Sequence, residues 1–465
     1  MYNIRFLHLS LCITFALLSS CTKFVKVPDP PTQIVRSTVF ADDATATSAM
    51  LGIYSSMMQE STMASLNTGF FSGLSADEIT SYSTDPNLDQ FYTNSLIPSN
   101  VNLSGYWSNA YQYIYGANAI LEGINNNEKI STSVKVQLAG EAKFIRAFCY
   151  FYLTNLFGDV PLILTTDYTK NSVASRSSRN SVFDQIVIDL SEAQTELSDS
   201  YLKADNTPTN DRLRPNRWTA AALLARAHLY SGNWDAANTL STSVINQSGL
   251  YQLVFNLDSV FLANSAEAIW QLSPVTSYNL ATLDGFTYIL TDIPSGLLGV
   301  SLNDQLVNAF EPGDLRRQHW IDSIESSGTI YHFAYKYKLA NSTTPDEYYM
   351  VFRLSEQYLI RAEARAMTGD LEGAKNDLNV IRNKAGLPNT IANDQASLVT
   401  AIQKERRIEL FSEWGHRWMD LKRTLTADAV LGPVKSPGWA ATDTLYPIPQ
   451  SEIQNDPNII QNPNY

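Results

Sequence analysis

Ala225-Arg226-Ala227-His228-Leu229-Tyr230-Ser231-Gly232-Asn233-Trp234-Asp235-Ala236-Ala237 is echoed further along the chain by Ala362-Glu363-Ala364-Arg365-Ala366-Met367-Thr368-Gly369-Asp370-Leu371-Glu372-Gly373-Ala374. In both stretches one alanine precedes a turn glycine by seven positions and another follows it by five. Small residues at those points let two helices approach closely, and glycine takes the turn between them. A lone helix pair of this kind cannot bury its apolar face, so the pattern predicts pairs that stack into a curved scaffold.

That spacing is the tetratricopeptide one, and the neighbouring sequence agrees with it. From Glu141 to Leu156 the residues Phe144, Ala147, Phe148, Phe151 and Tyr152 recur at spacings of three and four, with Glu141, Lys143 and Arg146 between them. Gly158 and Pro161 then stop the helix. Similar stripes run through Val182–Leu197, Thr219–Tyr230, Tyr358–Met367 and Ile402–Leu421, while strand alternation is scarce. The fold class is therefore mainly α, a tetratricopeptide-like helix-pair scaffold with an irregular loop-rich portion. Polar insertions at 72–102, 165–181 and 199–215, and an aromatic-rich one at 273–349, interrupt the helical blocks. Loops this long are functional or disordered, and aromatic content argues against disorder. Within the last, Tyr331 to Lys338 alternates like a strand with an aromatic face. The charged run from Gln403 to Arg423 reads as a helix with Ile408, Phe411 and Met419 toward the core and Glu–Arg pairs on the surface.

With 465 residues, 44% hydrophobic and 17% charged, the chain has ample material for a core. Its 33 basic against 46 acidic residues, net −13, speak against nucleic acid and against a basic grip on anionic lipid. Arg5, the apolar run Phe6–Leu18 and the small Ser19 and Ser20 make residues 1–20 a secretory signal, too short to span a bilayer. Leu18-Ser19-Ser20-Cys21 resembles a bacterial lipoprotein box, which makes Cys21 the lipidation site and residues 21–45, with Pro28, Pro30 and Pro31, a lipid-anchored tether. Removing the signal also removes Cys12, so Cys149 is left as a single thiol without a disulfide partner, on an apolar helical face.

The catalytic search is negative. His228, His319, His332 and His416 have no spacing suited to a metal or a hydrolase triad, and neither His-Glu-x-x-His, Gly-x-Ser-x-Gly nor a glycine-rich phosphate loop occurs. No cofactor or metal is expected, and no enzymatic activity.

Six blocks, in order, resemble the SusD/RagB family of outer-membrane nutrient-uptake lipoproteins. They are Trp107-x-x-x-Tyr111-x-x-Ile114-x-x-Ala117-Asn118; Glu141 to Tyr150 running to Leu156-Phe157-Gly158-Asp159-Val160-Pro161; Arg353-Leu354-Ser355-Glu356 to Glu363; Leu378-Asn379-x-Ile381-Arg382; Glu405-Arg406-Arg407 to Gly415-x-Arg417-Trp418-x-Asp420-Leu421; and Leu445-Tyr446-Pro447-Ile448-Pro449 to Pro463. The resemblance implies an N-terminal helical region at 46–240 and a C-terminal region at 241–465 that carries the 273–349 loops. It also implies a non-catalytic protein anchored by lipid at the outer membrane, on the cell surface, that binds oligosaccharide or polysaccharide and delivers it to a SusC-like TonB-dependent transporter. Capture of peptides for the same kind of transporter is the alternative. Lys23 and Lys26 stand where surface-exported members often carry acids.

The matching blocks are scaffold, and Trp107, Trp218, Trp234 and Trp418 within them read as core. In the family, ligand contacts come from variable loops. Sugars need rings for their C–H faces and amides or acids for their hydroxyls. Tyr82, Phe91 and Tyr92, with Asp85, Asn87 and Asn94, are the candidates in the first loop; Tyr278, Tyr288 and Trp320, with Asn279 and Asp284, are those in the second. Replacing Cys21 with alanine is expected to abolish incorporation of labelled palmitate and to move the protein out of the membrane fraction. Undiminished labelling would place the acyl chain elsewhere.

Overall fold

The two echoing stretches form helix pairs: Arg217–Tyr230 with Trp234–Ile245, and Leu354–Thr368 with Leu371–Lys384. Ala225, Ala237, Ala362 and Ala374 are all fully buried at the seams, and Gly232 and Gly369 take φ of 74° and 88°, which a side chain would strain. The structure, a computed structural model, describes residues 36–276 and 279–465. The expected signal, Cys21 and Tyr278 lie outside the described residues, as does most of the tether. Residues 40–45, expected in the tether, belong to the fold, because Phe40 is packed into the core and Asp42 caps the helix Asp43–Met57.

The helices form one continuous array. Val101–Ile124 packs on Thr132–Phe157, that on Arg179–Glu196, that on 217–230, and so through 234–245 to 354–368, which also contacts Gln395–Glu409. Helix 132–157 ends at Gly158, φ 76°, as the sequence predicts, and its lower half is buried almost all round, Cys149 included. Burial pushes the Cys149 thiol up, which keeps it an inert core group. One hydrophobic core runs from Phe40 to Ile459, across the boundary between the 46–240 and 241–465 regions. None of the described helices is long and apolar enough to cross a membrane.

Helices 234–245 and 354–368 are spatial neighbours although the chain leaves the array between them. The antiparallel strands Ala268–Leu272 and Tyr349–Arg353 close the base of that excursion, pairing Leu272 with Tyr349 and Ala268 with Arg353. Both strands are buried throughout, which is why they alternate so little in sequence. Three further expectations are corrected here. Region 72–102 is partly helical, since 68–75 and Pro86–Tyr92 are helices, with Asp85 capping the second and the strand Ile79–Ser81 between them. The aromatic strand is Thr329–Ala334 and stops short of Lys338. The Ile402–Leu421 helix is broken: 395–409 ends, Ser412, Trp414 and Gly415 take positive φ, and a new helix starts at His416.

Most of the charges of that last stretch are not on the surface either. Arg353, the last residue of its strand, places Nη1 3.0 Å from Glu267 and 2.5 Å from Glu409, and Nε 2.8 Å from Glu413. Lys384 reaches Glu267 at 2.7 Å, Lys336 reaches Glu413 at 2.5 Å, and Arg316 binds Asp314, Glu405 and Glu409 at 2.6 to 2.8 Å. With Arg382 on Glu405, five cations balance five carboxylates, nearly all of them out of solvent. Burial opposes the charge on Glu409, but Lys384, Arg353 and Arg316 outweigh it and hold its carboxyl well below the usual range.

Arg353→Met would leave three buried carboxylates without their guanidinium, at an expected cost of about 3–5 kcal/mol in urea unfolding. Lys404→Met, which removes a largely exposed partner of Glu311, should move stability by less than about 1 kcal/mol.

Candidate functional site

Two segments far apart in sequence are zipped together at one face. Ile79, Thr80 and Ser81 pair antiparallel with Leu302, Ser301 and Val300. The ladder continues as Tyr82 N donates to Gly299 O at 2.8 Å, Ser83 Oγ to Leu297 O at 2.6 Å and Thr84 N to Gly296 O at 3.1 Å. Strand 300–302 in turn packs on 329–334, one arm of a hairpin with Ile321–Ser326. The hairpin turns at Ser327 and Gly328, both at positive φ, the geometry that suits the twist of two short strands.

This pairing sets Tyr82 beside Tyr331, ring centroids 5.6 Å apart and planes at 75°. Tyr82 is 40% exposed, and Tyr331 and Tyr92 are half-buried. Burial and the neighbouring Tyr82 phenol raise the Tyr92 pKa, while the Thr80 side chain hydrogen-bonds its hydroxyl. Behind Tyr92, the Lys435 ammonium sits 4.4 Å from the ring centroid and donates to Leu74 O and Tyr92 O. The face thus offers tyrosine rings and hydroxyls on a braced backbone, suited to stacking on C–H surfaces and hydrogen-bonding hydroxyls. Next to it, Leu298 and Phe286 help line an apolar cavity of about 250 Å³.

The structure separates the sequence candidates sharply. Tyr82 and Tyr92 stand at the face, with Asp85 and Asn87 engaged in the helix cap nearby, Asp85 Oδ1 accepting from Asn87 N at 2.8 Å. Phe91 is buried, stacked on Phe71 at 4.4 Å, and so is core rather than contact. Asn94 is buried and takes φ 54° just after helix 86–92. Asn279 borders the apolar cavity, but its amide is used to bridge two loops: Nδ2 donates to Ala340 O, and Oδ1 accepts from Ala281 N and Ser342 N. Asp284 and Tyr288 are buried beside Tyr349, and burial with the Glu413 charge keeps the Asp284 carboxyl raised well above the usual range. Trp320 has no exposed surface; its Nε1 donates to Leu257 O, and Lys336, Arg353 and Lys384 surround its ring at 4.9 to 5.7 Å. Phe91, Asn94, Asp284, Tyr288 and Trp320 correct the sequence reading, because a side chain enclosed by the core has nothing to present to a ligand, and Asn279 is buried as well, at the edge of the cavity. Trp107 and Trp418 are core as expected, and Trp218 and Trp234 pack against it. Tyr331 was not among the candidates, though the alternation that begins at it was a usable signal.

Comparisons with known proteins fit this architecture. Residues 29–229 match the family described as "Starch-binding associating with outer membrane", and residues 322–465 match the SusD family. SusD-like protein P25 of Formosa agariphila is 26% identical, with 95% of each chain covered. The starch-binding protein SusD of Bacteroides thetaiotaomicron is 22% identical over 74% of this chain and 75% of its own. A solved laminarin binding SusD-like protein superposes with a TM-score of 0.77 at 26% identity, covering 91% of this chain and all of the other. A SusD superfamily structure from Bacteroides vulgatus also gives 0.77, at 20% identity, covering 92% of this chain and all of its own.

Glu78 lies just before the strand that carries the face. Burial, then the charge of Asp77, raise its pKa to about 7. The folded state therefore binds a proton that the unfolded state releases near the ordinary carboxylate pKa, so stability falls as pH rises from about 4.5 to 7. Over that window wild type should lose up to roughly 3 kcal/mol relative to Glu78→Gln, read from paired urea titrations at each pH. Parallel curves would show that Glu78 does not titrate there.

Proposed function

The chain belongs to the SusD family, and we propose that it is a non-catalytic glycan-binding lipoprotein of the outer membrane that holds oligosaccharide on the Tyr82–Tyr331–Tyr92 face. The observation that carries this reading is the pairing of 79–84 with 296–302, on which strand 329–334 packs, so that Tyr82 and Tyr331 from distant segments share one platform. Starch binding and laminarin binding in the relatives support the ligand class. In this reading Cys21 carries the anchor, and the captured glycan passes to a SusC-like TonB-dependent transporter beneath. The buried carboxylates of the large ion cluster are held by Arg and Lys with almost no solvent access, so they are not available as an acid–base pair.

Binding of laminarin, starch, xylan and mannan oligosaccharides should be saturable for at least one of them, with no shortened product. Tyr82→Ala and Tyr331→Ala should each weaken it about tenfold, ~1.4 kcal/mol, without lowering the melting temperature. Trp320→Ala should instead lower the melting temperature. Retention of peptides alone, with no glycan bound, would replace this reading by peptide capture.

A further inference from the structure

A second aromatic groove lies elsewhere on the molecule and shares no residue with the tyrosine face. It is a cleft of about 530 Å³ between helix 101–124, the segment 161–174 and the C-terminal helix Gln450–Asn455, within the size range of small-ligand sites. Tyr168 and Tyr115 stand on its walls, 78% and 54% exposed. Among the described residues those two rings have no packing role that explains such exposure, whereas Trp107 and Tyr111 beneath them are anchored, Tyr111 donating to Pro161 O at 2.8 Å.

The polar groups in the groove are the ones a neutral polyol needs. Asn171 is held by its own amide, which donates to Thr165 O at 2.8 Å and leaves its carbonyl oxygen available. Glu452 is half-buried and has no ion pair among the described residues; burial raises its pKa, opposed by the nearby Trp107 side chain. A half-buried carboxylate without a cation is suited to accept paired sugar hydroxyls. A second cleft of about 390 Å³, lined also by Thr166 and Phe40, shares Tyr115 with the groove. One exposed ring between two clefts suits a chain of sugars, which can lie across it, better than a compact metabolite.

We propose that this groove is a second oligosaccharide-binding site, with Tyr168 and Tyr115 as stacking platforms and Glu452 and Asn171 as hydroxyl ligands. It rests on the reading of the chain as a glycan binder, and it gives a long polysaccharide two points of attachment on one molecule. Two linked contacts raise overall affinity beyond either alone when one chain spans both.

The test is calorimetric titration of the full chain, purified in detergent, with the four oligosaccharides named above. Two sites per chain are expected. In the Tyr82→Ala background the remaining site should persist, and adding Tyr168→Ala or Glu452→Gln should weaken it at least tenfold, with the melting temperature unchanged for Tyr168→Ala. Sugar should also slow hydrogen exchange at 161–174 and 450–459 in Tyr82→Ala. One site per chain, lost with Tyr82→Ala and indifferent to Tyr168→Ala, would overturn the second site and leave the functional reading standing. No binding of any of the four sugars by the wild type would overturn both. Binding of a lysine-rich peptide abolished by Glu452→Gln, with no sugar bound at the groove, would reassign the groove to peptide.

Discussion

Arg353 ties together three parts of the chain that lie far apart in sequence. It sits where a buried strand becomes a helix, and its three carboxylate partners come from the far strand at Glu267, the end of helix 395–409 at Glu409, and the irregular turn at Glu413. Charges this deep are tolerable only when every one is answered, and here five cations meet five carboxylates with Ser355 adding a hydroxyl to Glu267. An intact cluster of this kind contributes little over a well-packed apolar core, while a broken one costs a great deal. That asymmetry penalises any register in which the strand pair or the 410–415 turn is displaced, since a shift strands a charge.

The same cluster explains why the loop-rich excursion is orderly. Arg316 and Lys336 belong to the excursion, yet their charged ends lie among the carboxylates of the helical array. Trp320 fills the space between them, its ring against three cations, each contact contributing on the order of 1–2 kcal/mol when desolvated. The excursion is thus pinned at its base by strands and in its middle by charge, while its outer hairpin, the 295–298 turn and residues 343–346 face solvent.

The helix pairs were legible because their signal is local: a period of three to four and a glycine at fixed distance survive whatever the tertiary structure does. The ion cluster was not, because Glu405, Arg406 and Glu409 look the same in sequence whether they point to water or to one another, and the break at 410–415 depends on positive φ at Ser412 and Trp414, residues that do not advertise it. The candidate site divided on the same line. Composition located the two loops, but whether a ring is platform or core is set by which strand pairs with which. Tyr82 follows a strand whose partner leaves it open, whereas Phe91, from the same loop, faces inward from a helix onto Phe71. Trp320 is the strongest aromatic in its region by composition and the most enclosed in the fold.

The ladder between 79–84 and 296–302 also has a consequence for when the protein can act. Its two halves are separated by most of the helical array, so closing it is among the longest-range events in folding, the kind that waits for local structure to form first. Tyr331 adds a third segment from still later in the chain. A fragment ending before that hairpin lacks Tyr331 and with it part of the face. On the proposed reading, glycan capture therefore requires all three segments to be in place, so the platform is assembled late and reports on the completeness of the fold.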